Sequence, residues 1–179
     1  MDLGLQRGTV AVTPHCSAWA CNAQQTIARL RAVLQDAAVD IQHIGSTAIH
    51  GICAKPIIDI VIGTADFRAL LSRNDVLAAN GFLFRGQDLP EQYLYVCGTE
   101  EIRTHHIHAV IYGAEAWNNY ISLRNYLNCH AAEAQAYSAL KTALAAQYPA
   151  DRNTYTAMKN DMIREILTKA KDWRQAQEN

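Results

Sequence analysis

The sequence predicts a mixed α/β (α+β) domain, in which a mixed sheet is flanked by helices and followed by a helical C-terminal part. Three observations carry that prediction. The run Ile57-Ile58-Asp59-Ile60-Val61-Ile62-Gly63 is rich in β-branched residues, as expected of a strand covered on both faces. Apolar residues spaced by three and four mark helices before and after it. From about residue 114 to 173 the chain is helical in pattern almost throughout. At 179 residues it fits one domain spanning 1–179 and can bury a core without disulfides or structural metals.

The elements follow in order. Residues 1–22, with Pro14 and Trp19, read as irregular. Ile27, Leu30, Val33, Leu34 and Ala37 form one stripe and predict a helix over 23–38. A strand over 39–44 runs into the turn Gly45-Ser46-Thr47, and the β-branched strand follows over 57–63. Phe67, Leu70, Leu71 and Leu77 predict an amphipathic helix over 66–80, stopped by Asn80-Gly81. Strands are expected over 82–85 and 92–97, around a polar loop at Pro90, and over 103–112. Helices over 114–129, 131–148 and 151–173 complete the chain.

Composition narrows the function. Lysine plus arginine total 16 and aspartate plus glutamate 17, for a net charge of -1. That balance argues against a broad surface for extended nucleic acid or for anionic membrane, yet it leaves room for a small basic pocket holding one phosphorylated ligand. No apolar run approaches the roughly 20 residues that span a bilayer, and the first twelve residues lack a secretory pattern. The five cysteines show no C-x-x-C spacing and read as reduced thiols of a cytoplasmic protein.

Four groups of residues could carry chemistry. A glycine and serine after a strand, Gly45-Ser46-Thr47, let backbone amides approach a ligand and cradle phosphate oxygens; such a turn also occurs without a ligand. Asp59 sits in the middle of an apolar strand. It needs a cation, a set of donors or an exposed strand end, whether its role is metal binding, general-base work or structure. His106 and His108 point to one face of their strand, about 7 Å apart by two rises of roughly 3.3 Å. With one carboxylate they could form a two-histidine, one-carboxylate metal site. Arg124, Lys141, Lys159 and Arg164 are long cations on the C-terminal helices. Lys141 lies four residues after Tyr137, and Lys159 four after Tyr155, so each pair shares a helix face. These cations could close a pocket over phosphates or form a solvated face.

The blocks His43-Ile-Gly-Ser-Thr-Ala48 and Ala54-Lys-Pro-Ile-Ile-Asp59 resemble the signature of the GrpB family. The resemblance continues through His106-Ile-His108, Leu123-Arg-Asn-Tyr-Leu127, Tyr137-Ser-Ala-Leu-Lys141 and Tyr155-Thr-Ala-Met-Lys159. It implies a fold like that of the polymerase-beta-type nucleotidyltransferases, in which a Gly-Ser turn holds nucleotide phosphates and three acids hold two magnesium ions. Carried over, Gly45 and Ser46 would be the phosphate turn and Asp59 the first metal acid. The second acid position is Val61, and His106 and His108 stand where a later acid is expected. Histidine suits zinc or manganese better than magnesium.

The resulting expectation is a nucleotidyltransferase-like protein with metal-assisted nucleotidyl or phosphoryl transfer to a small molecule. The alternatives are a non-catalytic module for a nucleotide or coenzyme A-like ligand, or an accessory folding or interaction domain. Asp59, His106 and His108 are the candidate catalytic and metal-binding residues, with magnesium, manganese or zinc as the ion. Gly45, Ser46, Thr47, Lys55, Arg124, Lys141 and Lys159 are the candidate ligand or phosphate contacts.

Overall fold

The structure, a computed structural model, describes residues 3–178. Its strands are β1 (Leu5–Gln6), β2 (Asp40–Ile44), β3 (Ile58–Thr64), β4 (Leu83–Leu89), β5 (Gln92–Gly98) and β6 (Ile102–Ile111). Its helices are α1 (Ala18–Leu34), α2 (Phe67–Leu71), α3 (Asn74–Ala79), α4 (Glu115–Cys129), α5 (Ala131–Gln147) and α6 (Arg152–Glu178), with short 3-10 turns at Gln35–Ala37 and Ser46–Ala48. The strands form one sheet in the order β2-β3-β6-β5-β4, and β1 also pairs with β6. β3 and β6 run parallel, whereas the other pairings are antiparallel.

Alternation along β3 divides the molecule. Ile58, Ile60 and Ile62 join Ile107 and Ala109 of β6 on one face. Trp19, Ala23, Ile27, Leu30 and Leu34 of α1 cover that face, with Leu70, Leu77 and Phe82 completing the core. Asp59, Val61 and Gly63 point the other way. There Val61 packs with Ile44, Val110 and Trp117, and a Cβ on Gly63 would come within 2.8 Å of the Trp117 ring. Past Trp117, toward the Asp59 end of β3, α5 and α6 leave this face open to a cavity.

The mixed sheet and helical C-terminal part agree with the sequence, and the differences are local. The N-terminal stretch expected to be irregular holds β1 and the first turn of α1. That helix starts at Ala18 because Trp19, 3% exposed, extends its buried stripe one turn earlier. It stops at Leu34, where Gln35 takes a positive φ of 50° and a 3-10 turn replaces the expected helical residues. The helix expected over 66–80 is two short ones. Asp66 caps the first by accepting from the Arg68 and Ala69 amides. The Ser72 hydroxyl then donates to the Ala69 carbonyl, a local bond that competes with helix continuation. The strand expected over 82–85 runs on to Leu89, so the hairpin turns at Pro90-Glu91.

Candidate active site: a lysine-ringed cleft beside Asp59

The register fixes the centre. In the parallel pair of β3 and β6, Asp59 lies opposite His106 and Val61 opposite His108. His105 is on the far face, with Nε2 3.1 Å from the Thr26 hydroxyl. His106 Nδ1 is 3.3 Å from Asp59 Oδ1, and His108 Nε2 is 3.9 Å from the same oxygen. The His108 ring also stacks on Tyr120 with centroids 5.3 Å apart.

The turn after β2 closes over this group. Ile44 pairs with Asp59, so Gly45 passes directly beside the carboxylate. Gly45 has φ +69°, and a Cβ there would lie 2.6 Å from Asp59 Oδ2. Only glycine satisfies both the backbone and the close approach. Ser46 begins the 3-10 turn and lines the cavity with the buried Tyr137. Thr47 is buried, its hydroxyl 2.9 Å from His43 Nε2.

A cavity of about 330 Å³ opens from Asp59 between this turn and the C-terminal helices. Lys55, Lys141, Arg152 and Lys159 line it, with Asp59 as its single carboxylate. Lys141 is 1% exposed and donates to the Cys53 carbonyl. Its Nζ lies 4.6 Å from the Tyr137 ring centroid. The ammonium groups of Lys55 and Lys159 lie 5.3 and 4.5 Å from the Tyr155 ring. Among the described residues none of these four cations forms an ion pair with a carboxylate. Besides the Cys53 carbonyl and the charge of Asp59, the two tyrosine rings attract the three lysines through cation–π contacts.

The electrostatics follow from that crowding. Burial, joined by repulsion from Lys159, pulls Lys141 down to about 7. Burial, with Lys159 and Arg152, pulls Lys55 down to about 8. Lys159 is lowered for the same reasons, with Asp59 opposing. Burial pushes the Asp59 carboxyl up, but its interactions with His106 and His108 outweigh this and hold it well below the usual carboxylate range. The cleft is therefore a cation-rich hollow with one ionised acid on its floor.

The cleft gathers Gly45, Ser46, Thr47, Lys55, Asp59, His106, His108, Lys141 and Lys159 from the sequence-predicted set. Arg124 is not brought to this cleft. Its guanidinium turns toward β2, donating to Gln42 Oε1 at 3.0 Å and to the His43 carbonyl at 2.9 Å, and it lines a different cavity. Those fixed acceptors hold it away from the cleft. Arg164 is likewise elsewhere, on the surface with Asp161. Arg152, Tyr120, Tyr137 and Tyr155 also line the cleft but were not among the predicted contacts. Tyr137 and Tyr155 were readable from their spacing to Lys141 and Lys159; Tyr120 and a single arginine opening α6 gave no such signal.

The donor set does not fit two magnesium ions. Val61 fills the second acid position and is packed in an apolar cluster. Asp59 Oδ1 is already approached by both imidazoles. Among the described residues no group of three or more His, Cys, Asp or Glu side chains is arranged to hold a metal ion.

A profile of the GrpB protein family matches residues 9–169. The chain belongs to the GrpB family. The glutamate-rich protein GrpB of Alkalihalophilus pseudofirmus is 36% identical over 170 residues, covering 92% of this chain and 98% of that protein. The structure of the conserved protein GrpB from Enterococcus faecalis gives a TM-score of 0.84 at 28% identity, over 91% of this chain and 99% of that one. The Cid1 poly(U) polymerase with MgGTP bound gives a TM-score of 0.50 at 13% identity, over 73% of this chain and 42% of that one. The last likeness is one of fold, and it makes this GrpB-family fold nucleotidyltransferase-like. Among the described residues no helix is long and apolar enough to cross a membrane.

Proposed function

We propose that the cleft binds a phosphorylated small molecule, a nucleotide or a coenzyme A-like ligand, on a nucleotidyltransferase-like frame. One observation carries this reading. Four cationic side chains converge on a cavity with one carboxylate, and among the described residues none has an ion-pair partner. Burying like charges together costs stability unless an anion completes the site. Phosphate oxygens are suited to do so, because they accept from several ammonium groups at once. The Gly45-Ser46 turn lets backbone approach the same anion. A cavity of about 330 Å³ falls in the range that small ligands occupy.

Titration calorimetry with nucleotides and coenzyme A tests the reading. The expected result is saturable binding that weakens about tenfold or more in Lys159→Gln, the loss of one charge-assisted contact. Absence of heat with every phosphorylated compound overturns it.

Transfer is a second reading, favoured by the Asp59–His106 contact at 3.3 Å. An imidazole held against a carboxylate can take the proton of an acceptor hydroxyl, while the lysines offset charge on the departing phosphate. Phosphorus NMR of nucleotide incubated with the protein and small alcohol acceptors distinguishes turnover from binding alone.

A further inference from the structure

We infer that the cleft takes a polyphosphate-bearing ligand in its metal-free form, with lysines holding the negative charge that a divalent ion would otherwise neutralise. This rests on the phosphate-binding reading above and goes further, to the ionic form of the ligand.

The charge arithmetic points this way. Lys55, Lys141, Lys159 and Arg152 against Asp59 leave the lining nominally at +3. A divalent ion on the phosphates cancels two of the ligand's negative charges and so removes most of what that lining is matched to. It would also have to sit among cations. Burial and mutual repulsion already lower the lysines that line this space, and a further positive charge adds to that cost.

The acidic side of the cleft agrees. A phosphate-bound magnesium ion is held by one or two carboxylates besides its waters and phosphate oxygens. Here Asp59 is the one carboxylate, its Oδ1 faces two imidazoles, and Gly45 packs against its Oδ2 side. The neighbouring position that would offer a second carboxylate is Val61, 0% exposed beside Trp117. Asp59 is then a negative charge on the floor of an anion site. Its effect on a metal-free polyphosphate is repulsive.

That sign makes the inference testable. Inorganic tripolyphosphate, which carries no base or sugar, is titrated into the full chain in the presence of a chelator and again in excess magnesium. The wild-type protein is expected to bind more tightly with the chelator. Asp59→Asn, which keeps the shape and removes the charge, is expected to tighten metal-free binding about tenfold, the effect of one unit charge at a few ångströms in a partly screened site. If magnesium is required or leaves affinity unchanged, or if folded Asp59→Asn loses binding, the inference is wrong while the phosphate-binding reading survives. If neither tripolyphosphate nor nucleotides bind under either condition, both fail. The magnesium comparison uses wild-type protein alone, so it decides the matter even if the variant does not fold.

Discussion

Two cavities flank the Gly45–Thr47 turn, and their polar groups are treated in opposite ways. The one of about 370 Å³ is lined by His15, His43, His50 and Arg124. There Arg124 donates to Gln42 and to the His43 carbonyl, His50 Nδ1 is 2.8 Å from Asn128 Oδ1, and His43 reaches the Thr47 hydroxyl. His15 Nδ1 is the exception, buried without a hydrogen-bond partner. Across the turn, the cleft holds its lysines against tyrosine rings and one backbone carbonyl, with no carboxylate partner among the described residues. Cations paired within the protein stabilise it. Cations crowded together and left to aromatic faces are costly to the empty fold, and that cost is what an incoming anion relieves.

The largest expected effect comes from removing the most buried of those cations. Lys141→Met should weaken phosphate binding by about a hundredfold, the loss of a buried charge-assisted contact worth roughly 3 kcal/mol. It should also stabilise the ligand-free protein. Folded Lys141 titrates near 7 whereas its unfolded value is near 10.5, so between those values the unfolded chain binds more protons and wild-type stability rises with pH. Comparing denaturant unfolding of wild type and variant at pH 6.5 and pH 9.5 isolates this contribution, on the order of a few kcal/mol. A variant less stable than wild type at pH 6.5 would break the contrast between the cavities.

Next in size is the turn itself. Gly45→Ala meets both a positive φ and the Asp59 carboxylate, whereas Gly86 has φ +85° with nothing within 4 Å of an added Cβ. The expected cost is about 1 kcal/mol for Gly86→Ala and about 2–3 kcal/mol for Gly45→Ala, read from urea midpoints. Equal costs would mean that the turn does not press on Asp59. On the other side, Arg124→Gln removes partnered hydrogen bonds and should cost about 1–2 kcal/mol of stability. Its effect on phosphate affinity should stay within about twofold, since it lies outside the cleft. A large loss of affinity would return Arg124 to the ligand. Smallest is the pH effect on binding. Because Lys55 and Lys141 sit near 8 and 7 in the free protein, ligand binding should take up protons. The dissociation constant should rise about threefold to tenfold from pH 7 to pH 8. Calorimetry in two buffers of different ionisation enthalpy measures that uptake directly.

Much of this was legible before the coordinates. The β-branched run around Asp59 announced a doubly covered strand, and period-two alternation put His106 and His108 on one face. The four-residue spacing of Tyr137 with Lys141 and of Tyr155 with Lys159 put each pair on one helix face, where the structure shows cation–π contacts. Local pattern could not say which strands are neighbours. The parallel pairing of β3 with β6 sets Asp59 against His106, and it depends on a crossover through α2, α3, β4 and β5. Nor could it separate Arg124 from Lys141, since both are cations on helices; what differs is an acceptor pair on β2 that captures one of them. The break between α2 and α3 turned on one hydroxyl choosing a backbone carbonyl, a competition that apolar spacing does not record.

The order of assembly follows from the same crossover. Asp59 is made early, but its imidazole partners come with β6, Lys141 with α5, and Arg152 and Lys159 with α6. A nascent chain on the ribosome therefore carries Lys55 and the acid long before it carries the other three cations. The ring of cations around the cleft is complete only once α6 has docked.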